Sequence, residues 1–419
     1  MKKLYTLVVL LLVVCSGIYA QVPNYLWAKS AGGAEIEEGK SICTDASGNV
    51  YVTGYFESPS ITFGSTTLVS AGWVDIFVVK YDAAGNVLWA TSAGGINYDD
   101  ATSLATDASA HVYVTGYFWS PSITFGPTTL INDGWVDIFV VKYDAAGNVL
   151  WATDAGGAHY DYGLSLATDA SGQVYVTGYF MSPSITFGTT TLVSAGWVDI
   201  FVVKYDAGGN VLWAKSEGGI DEDYSLCLVT DASGNPYVTG FFWSYSISFG
   251  STTLTNAGVY DVFIVKYDAG GNVLWATGAG GIDIDWGLSL CTHAGGDVYV
   301  TGAFTSPSLA FGSTTLTNAG SYDIFVTKLG YVTSMAGSSG HSISILIYPN
   351  PSSGLFTIQS QERIHSIEIF NVPGERIYHA EAGLSSVVKV DISGQPAGIY
   401  ILQLKTEKGT AMEKLMVSE

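Results

Sequence analysis

From residue 25 onward, apolar and polar positions alternate over short distances, in the manner of strands. Runs of four to eight residues rich in Val, Ile, Phe, Tyr and Thr recur, as in Val112-Tyr-Val-Thr-Gly-Tyr-Phe118 and Asp137-Ile-Phe-Val-Val-Lys-Tyr-Asp144. Branched and aromatic side chains suit a pleated, half-buried surface, so these runs predict β-strands. Turn residues separate them. Asp45-Ala-Ser-Gly-Asn49 and Asp82-Ala-Ala-Gly-Asn86 place an Asp to cap a tight turn and a Gly where φ turns positive. Nothing in this region supports a long helix.

The pattern has a fixed period. Trp27, Trp89, Trp151, Trp213 and Trp275 each precede a Gly-Gly pair, and each lies 62 residues from the next. A constant period marks a repeat architecture, in which each unit buries its apolar face on its neighbours. Four strands per repeat predict a propeller blade. Ordinary blades run about 40–45 residues. The excess is an 18-residue segment between the second and third strands, residues 57–74 in the first copy, and without it the repeat is 44 residues. Phe63-Gly64-Ser65 predicts a small extra hairpin there. The fifth copy stops after its third strand, residues 323–328, while the array opens with an orphan fourth strand, residues 25–28. Pairing these two ends predicts an all-β, five-bladed β-propeller closed by the N-terminal strand, without open strand edges.

Charge narrows the partners. The net charge is −21, from 37 acids and 16 bases, and residues 21–344 contain no arginine. Such a body repels nucleic acid and anionic lipid. Residues 1–20 read as a signal peptide, with Lys2 and Lys3 before the apolar run Leu7–Val14 and Ala20 at the cleavage position. That run is too short to span a membrane, and no later run is longer. Three cysteines remain, Cys43, Cys227 and Cys291. The odd count argues against a disulfide framework and predicts three small buried thiols.

Two family resemblances follow from these residues. The strings Asp45–Gly54, Asp75–Asp82 and Gly85–Trp89, repeated over residues 24–330, resemble the bacterial β-propeller repeat family called SBBP. Pro236 and His293 depart from its pattern. Its members are mostly of unknown function, so the resemblance implies a fold and no activity. Residues 331–344 are rich in Ser and Gly and read as a linker. Residues 345–419 alternate as about seven short strands and predict a small immunoglobulin-like β-sandwich. Tyr348-Pro-Asn-Pro351, Ile369–Glu375, Pro396–Tyr400 and Glu413–Val417 resemble the C-terminal sorting domain of the type IX secretion system of Bacteroidetes. That resemblance implies a partner, the secretion machinery, and a secreted or outer-surface location. It also implies removal of the domain by a surface peptidase, with the cargo attached to lipopolysaccharide or released.

Candidate chemistry gathers on one face. The Gly-Gly loops and the 18-residue insertions share one side of a blade. Glu37, Asp99, Asp161, Asp223 and Asp285 each follow the second Gly of the pair by four residues. They are oxygen donors of the kind calcium prefers, which gives one reading, a metal ring. The other reading is that each carboxylate caps the N–H groups of its own loop. Trp73, Trp135, Trp197, Tyr260 and Tyr322 recur near the end of the insertion, and Trp119 and Trp243 at its start. Aromatic faces beside acids suit sugar recognition. Packing of the insertion on its own blade is the alternative. Lys80, Lys142, Lys204, Lys266 and Lys328 are expected to pair with a nearby Asp. His111, His159 and His293 occupy different repeat positions and form no metal set. Gly-x-Ser-x-Gly, Cys-x-x-Cys and phosphate-loop motifs are absent. The expectation is a non-enzymatic glycan-binding surface protein. A structural or adhesive role, and a polysaccharide lyase or hydrolase, are the alternatives.

Overall fold

A computed structural model describes residues 25–293, 296–330, 345–350, 352–371, 375–407 and 409–417. The signal-peptide and linker readings lie outside these residues. Two compact units divide after Lys328. The described residues of the first are all-β, an array of repeated antiparallel sheets consistent with a β-propeller.

Sheet 1 comprises Glu37–Thr44, Val50–Phe56, Asp75–Tyr81 and Val87–Ala93, paired in chain order. Sheets 2, 3 and 4 repeat this order, opening with Asp99–Thr106, Asp161–Thr168 and Asp223–Thr230. Sheet 5 has three strands, Asp285–Thr292, Val298–Phe304 and Asp323–Leu329. The third strand of each internal sheet is buried along its whole length. Its alternate residues serve two different interfaces. Ile76 and Val78 pack with Val112, Val114 and Phe139 of sheet 2, whereas Phe77 and Val79 pack with Phe56, Ile61 and Phe63 of their own repeat. A strand covered on both faces has no solvent side, which explains the nearly unbroken apolar string.

The insertion forms the expected hairpin. Ser60–Phe63 pairs with Thr66–Val69 about Gly64-Ser65, with Gly64 at φ 59°. Phe63 packs against Phe77 with ring centroids 5.1 Å apart, which seats the hairpin on its own sheet. Beyond it, Val74 bridges in parallel to Tyr98, and the next three insertions likewise end against the following Gly-Gly loop.

Successive sheets are riveted by the periodic tryptophans. Trp89 Nε1 donates to the Ala145 carbonyl at 3.1 Å, and its ring lies 6.2 Å from both Tyr51 and Tyr143. Lys80 Nζ donates to the same carbonyl, also at 3.1 Å. It also lies 3.9 Å from Asp45 Oδ2, the kind of partner the sequence predicts. Lys142 and Lys204 donate to Ala207 and Ala269, while Lys266 and Lys328 pair with Asp231 and Asp297 at 3.0 and 2.6 Å.

Two expectations for the array need correction. Residues 25–28 form no strand, and sheet 5 has three among the described residues, so the array is not closed by the N-terminal strand. Trp27 instead makes the contact that Trp89, Trp151 and Trp213 make with the sheet after them. It donates to Ala83 O at 3.1 Å and stacks on Tyr81 at 6.1 Å. That contact is local in sequence and forms whether or not sheet 5 comes round. Cys43 and Cys227 are half-buried as free thiols, but Cys291 is exposed. It lies on sheet 5, which no further repeat covers.

Among its described residues the C-terminal unit has five strands rather than about seven. Leu355–Asn371 and Arg376–Asp391 are long and pair with each other through several register shifts. The first half of Leu355–Asn371 pairs with Ile345–Tyr348 and its second half with Gly398–Thr406, so one long strand does the work expected of two. Phe356, Ile367, Tyr400, Leu402 and Leu415 share one core. Asn350 clamps the last strand, donating to Lys414 O and accepting from Met416 N, both at 2.8 Å.

Candidate functional site: an aromatic belt

The Gly-Gly doublets set the geometry of the insertion-bearing edge. A Cβ on Gly94 would lie 2.0 Å from Asp75 Oδ1, and one on Gly95 would lie 2.5 Å from Ser120 Cβ. The same collisions recur at Gly156 and Gly157, Gly218 and Gly219, and Gly280 and Gly281. Only glycine lets this loop lie flat against the sheets beside it.

The carboxylates proposed for a metal ring are placed inside these loops. Asp99 Oδ2 accepts from Gly95 N at 2.7 Å and from Ser120 Oγ at 2.8 Å, and Oδ1 accepts from Ser120 N. Asp161, Asp223 and Asp285 repeat the arrangement with Ser182, Ser244 and Ser306. Glu37 accepts from Gly33 N at 3.1 Å. The four aspartates are fully buried, and among the described residues no three His, Cys, Asp or Glu side chains gather as metal ligands. Their oxygens serve as loop caps.

A second buried carboxylate series emerges only in three dimensions. Asp75, Asp137, Asp199 and Asp261 open the third strands and are buried, and each leaves Oδ1 without a hydrogen-bond donor. Burial pushes Asp137 up to about 7 and Asp75 and Asp261 up to about 6, and it raises Asp199 as well. The neighbouring cap carboxylate adds to the rise, Asp161 beside Asp137 for example. These groups hold a proton more tightly in the folded state than in the unfolded chain, where Asp titrates near about 3.9. Their contribution is therefore most favourable below about pH 4 and is lost as pH rises through about 7. Asp137→Asn keeps an acceptor for Asp133 N and abolishes the titration. Thermal melts between about pH 5 and 8 are expected to fall with pH less steeply for D137N than for the wild type. Equal slopes would show that Asp137 is ionised throughout.

The sequence-predicted aromatics are available. Trp73, Trp135 and Trp197 are 78%, 61% and 76% exposed. Tyr322 is also exposed, whereas Tyr260 is half-buried with its hydroxyl 3.4 Å from Glu222 Oε2. Trp135, Tyr260 and Tyr322 are joined to other rings. A row of rings crosses the array: Tyr55, Tyr98, Tyr117, Tyr162, Tyr179, Tyr224, Phe241, Trp286 and Tyr322. Successive centroids lie 5.9, 6.3, 4.7, 5.0, 4.8, 5.0, 5.8 and 5.6 Å apart. These spacings are those of favourable aromatic pairs. Trp119 and Trp135 join through Tyr160 at 6.0 and 5.2 Å, and Trp243 through Tyr260 at 5.7 Å. Acids border the belt. Tyr55 donates to Glu38, Tyr117 to Asp100 and Tyr224 to Glu222, at 3.1, 3.2 and 2.8 Å. Burial and the Asp100 charge hold the Tyr117 phenol well above its usual range, so it stays neutral. Trp286 Nε1 is a buried donor without a hydrogen-bond partner. Trp197, Tyr160, His159, Met181 and Glu222 line a hollow of about 710 Å³.

The central belt rings went unrecognised in the sequence because they sit in strand strings. Tyr117 belongs to Val112–Phe118, and Tyr162 and Tyr224 follow the cap aspartates. The signal is a tyrosine recurring at two fixed repeat positions. That the two positions meet across a sheet boundary is tertiary information.

Fold and tail together define a class, a surface-sorted β-repeat protein. Residues 346–418 match the secretion system C-terminal sorting domain, that of the type IX system. The chain is therefore sorted to the cell surface or beyond it. No described helix is long and apolar enough to cross a membrane. The chain is 26% identical over 382 residues to an uncharacterized WD repeat-containing protein of Acanthamoeba polyphaga mimivirus, covering 74% of this chain and 28% of that protein. It is 29% identical over 216 residues to the regulatory protein FlaEY of Caulobacter vibrioides, covering 48% and 22%. It thus spans under a third of either relative. Among solved structures it is similar to PorZ, a surface component of the type IX system of Porphyromonas gingivalis. That likeness is 15% identical with a TM-score of 0.30, covering 91% of this chain and 45% of PorZ. A Bacteroides thetaiotaomicron two-component extracellular domain gives 10% identity and a TM-score of 0.26, covering 93% and 57%.

Proposed function

We propose that the array is a non-enzymatic, multivalent binder of polysaccharide at the cell surface, with the aromatic belt as its contact surface. The carrying observation is the row of nine rings with bordering acids, which offers stacking faces and hydrogen-bond acceptors side by side. Apolar sugar faces stack on such rings, and hydroxyls donate to the carboxylates. Repetition along the array supplies avidity when several sugars of one chain engage together. Trp73, Trp135 and Trp197 are the outermost contacts, and Tyr260 and Tyr322 complete the series.

The test is calorimetry of the full chain against a panel of polysaccharides, with and without calcium. Binding is expected for at least one, and the W73A/W135A/W197A triple variant is expected to weaken it at least about tenfold, at about 0.5–1.5 kcal/mol per ring. The three side chains are exposed, so the fold is unaffected. Absence of binding across the panel, or unchanged binding by the triple variant, overturns the proposal.

A structural or adhesive role is the second reading. It is favoured by the cap carboxylates, which are all spent on their own loops. Under it the triple variant adheres as well as the wild type. A lyase or hydrolase is not adopted, because Asp137, the most strongly raised of the third-strand aspartates, abuts the backbone of Gly156 rather than an open cleft.

A further inference from the structure

The two ends of the array are unfinished halves of one interface. At each internal boundary, the third-strand residues Ile76 and Val78, or their equivalents, meet the apolar face of the next sheet. The isoleucines Ile76, Ile138 and Ile200 are 0% exposed there. On sheet 5 the equivalent Ile324 is 81% exposed and Val326 is 67% exposed. At the opposite end, Leu104, Leu166, Leu228 and Leu290 are buried against the preceding sheet, whereas their equivalent Ile42 is exposed. Ile42 lines an open hollow of about 370 Å³ with Trp27, Val50, Val52 and Phe77.

The polar contacts are unfinished in the same way. The carbonyls of Ala145, Ala207 and Ala269 each accept from a tryptophan and a lysine of the preceding sheet. Ala83 O accepts from Trp27. The lysine that would complete it belongs to a preceding sheet, and Lys328 of sheet 5, half-exposed, has that repeat position. Among the described residues sheet 5 has three strands, and residues 25–28, which hold the fourth-strand position beside sheet 1, pair with no strand.

We propose that sheet 5 of one copy docks on sheet 1 of a second copy, head to tail, reproducing the internal boundary. Ile324 and Val326 enter the hollow lined by Ile42, Val52 and Phe77. Lys328 Nζ donates to Ala83 O of the second copy. Residues 25–28 of the second copy pair along Asp323–Leu329 as the missing fourth strand. The occupant is a second copy because both faces stand open in the single chain, and because each is a duplicate of a boundary the chain already forms between its own sheets. A heterologous contact of this kind builds rings or linear arrays.

The test is sedimentation velocity of the full chain from micromolar to near-millimolar concentration. Concentration-dependent association is expected, weakened at least about tenfold in I324D/V326D. Both side chains are exposed in the free chain, so this variant folds as the wild type does. A disulfide trap assigns the contact. Cys43 Sγ lies 4.0 Å from Thr106 Oγ1 across the first internal boundary, and the equivalent pair between copies is Cys291 and Thr44. T44C, with Cys43 and Cys227 changed to Ser, is expected to oxidise to disulfide-linked dimers and higher species. The proposal is overturned by a monomer at every concentration, by association that survives I324D/V326D, or by a disulfide confined to one chain. The last result means that the array closes on itself.

Discussion

Replacing Trp151 by alanine is expected to destabilise the array by about 3 kcal/mol, the low end for a large aromatic because the ring is half-buried. Three contacts are lost together. Nε1 gives up its bond to Ala207 O at 3.1 Å, and the ring leaves Tyr113 and Tyr205 at 6.1 and 6.3 Å. The ring also covers Gly209, where even a Cβ would come within 2.8 Å of it. Two of these partners, Ala207 and Tyr205, belong to the next repeat's turn and third strand. The loss therefore uncouples sheet 2 from sheet 3 rather than unfolding either alone. Trp275→Ala supplies the comparison. Trp275 meets Tyr237 edge-on at 5.9 Å, but Leu329 stands where the other rivets meet a tyrosine. Its loss is expected to cost about half as much. Urea unfolding of both variants measures the difference, and equal losses would remove the rivet interpretation.

Gly157→Ala is expected to cost about 3 kcal/mol for the addition of one methyl group. The new Cβ would lie 2.4 Å from the Ser184 carbonyl oxygen and 2.6 Å from Ser182 Cβ. Neither is the tip of a flexible side chain, so the backbone must shift, at about 1–3 kcal/mol for overpacking alone. A shift also disturbs a tight network. Gly157 N donates to Asp161 Oδ2 at 2.8 Å, Ser182 Oγ donates to the same oxygen, and His159 N donates to Ser182 Oγ. An orphaned buried carboxylate adds about 1–3 kcal/mol. Gly208→Ala is the control. The repeat carries Ala84 and Ala146 at that position. Only flexible side-chain atoms of Asp206 and Asn210 lie near the added methyl. That change is expected to stabilise slightly, by about 0.4–1 kcal/mol, through the unfolded chain. If both glycines tolerate alanine equally, the close approach of the loop to Ser182 and Ser184 is not what fixes the doublet.

The two variants mark how much the chain disclosed. Trp151 announced itself by period, and its role as a packing residue follows from a repeated tryptophan in a strand string. Gly157 announced itself only as half of a recurrent doublet. The reason for the doublet is two separate neighbours, an aspartate from the preceding third strand and a serine from the start of the following insertion. The candidate site divides similarly. Trp73, Trp135 and Trp197 are legible because they recur in a turn-rich insertion, where an exposed ring is conspicuous. Tyr117 and Tyr162 are not, because each is one strand tyrosine among many and their 4.7 Å contact joins two repeats.

By itself, the sequence determined the repeat, the strands within it, the hairpin in the insertion and the sorting tail. Period, alternation, turn chemistry and motif are properties of neighbouring residues, and neighbours along the chain dictate them. The tertiary structure decided everything that depends on two repeats at once. It assigned Asp99 and its equivalents to capping, gathered the aromatic belt, and buried Asp137 beside Asp161. It also left Ile324 and Ile42 uncovered at opposite ends. A 62-residue repeat specifies the boundary between one copy and the next, because that boundary is written four times in the chain. Whether the last copy meets the first depends on the rotation accumulated over all five sheets, a sum that no single repeat encodes.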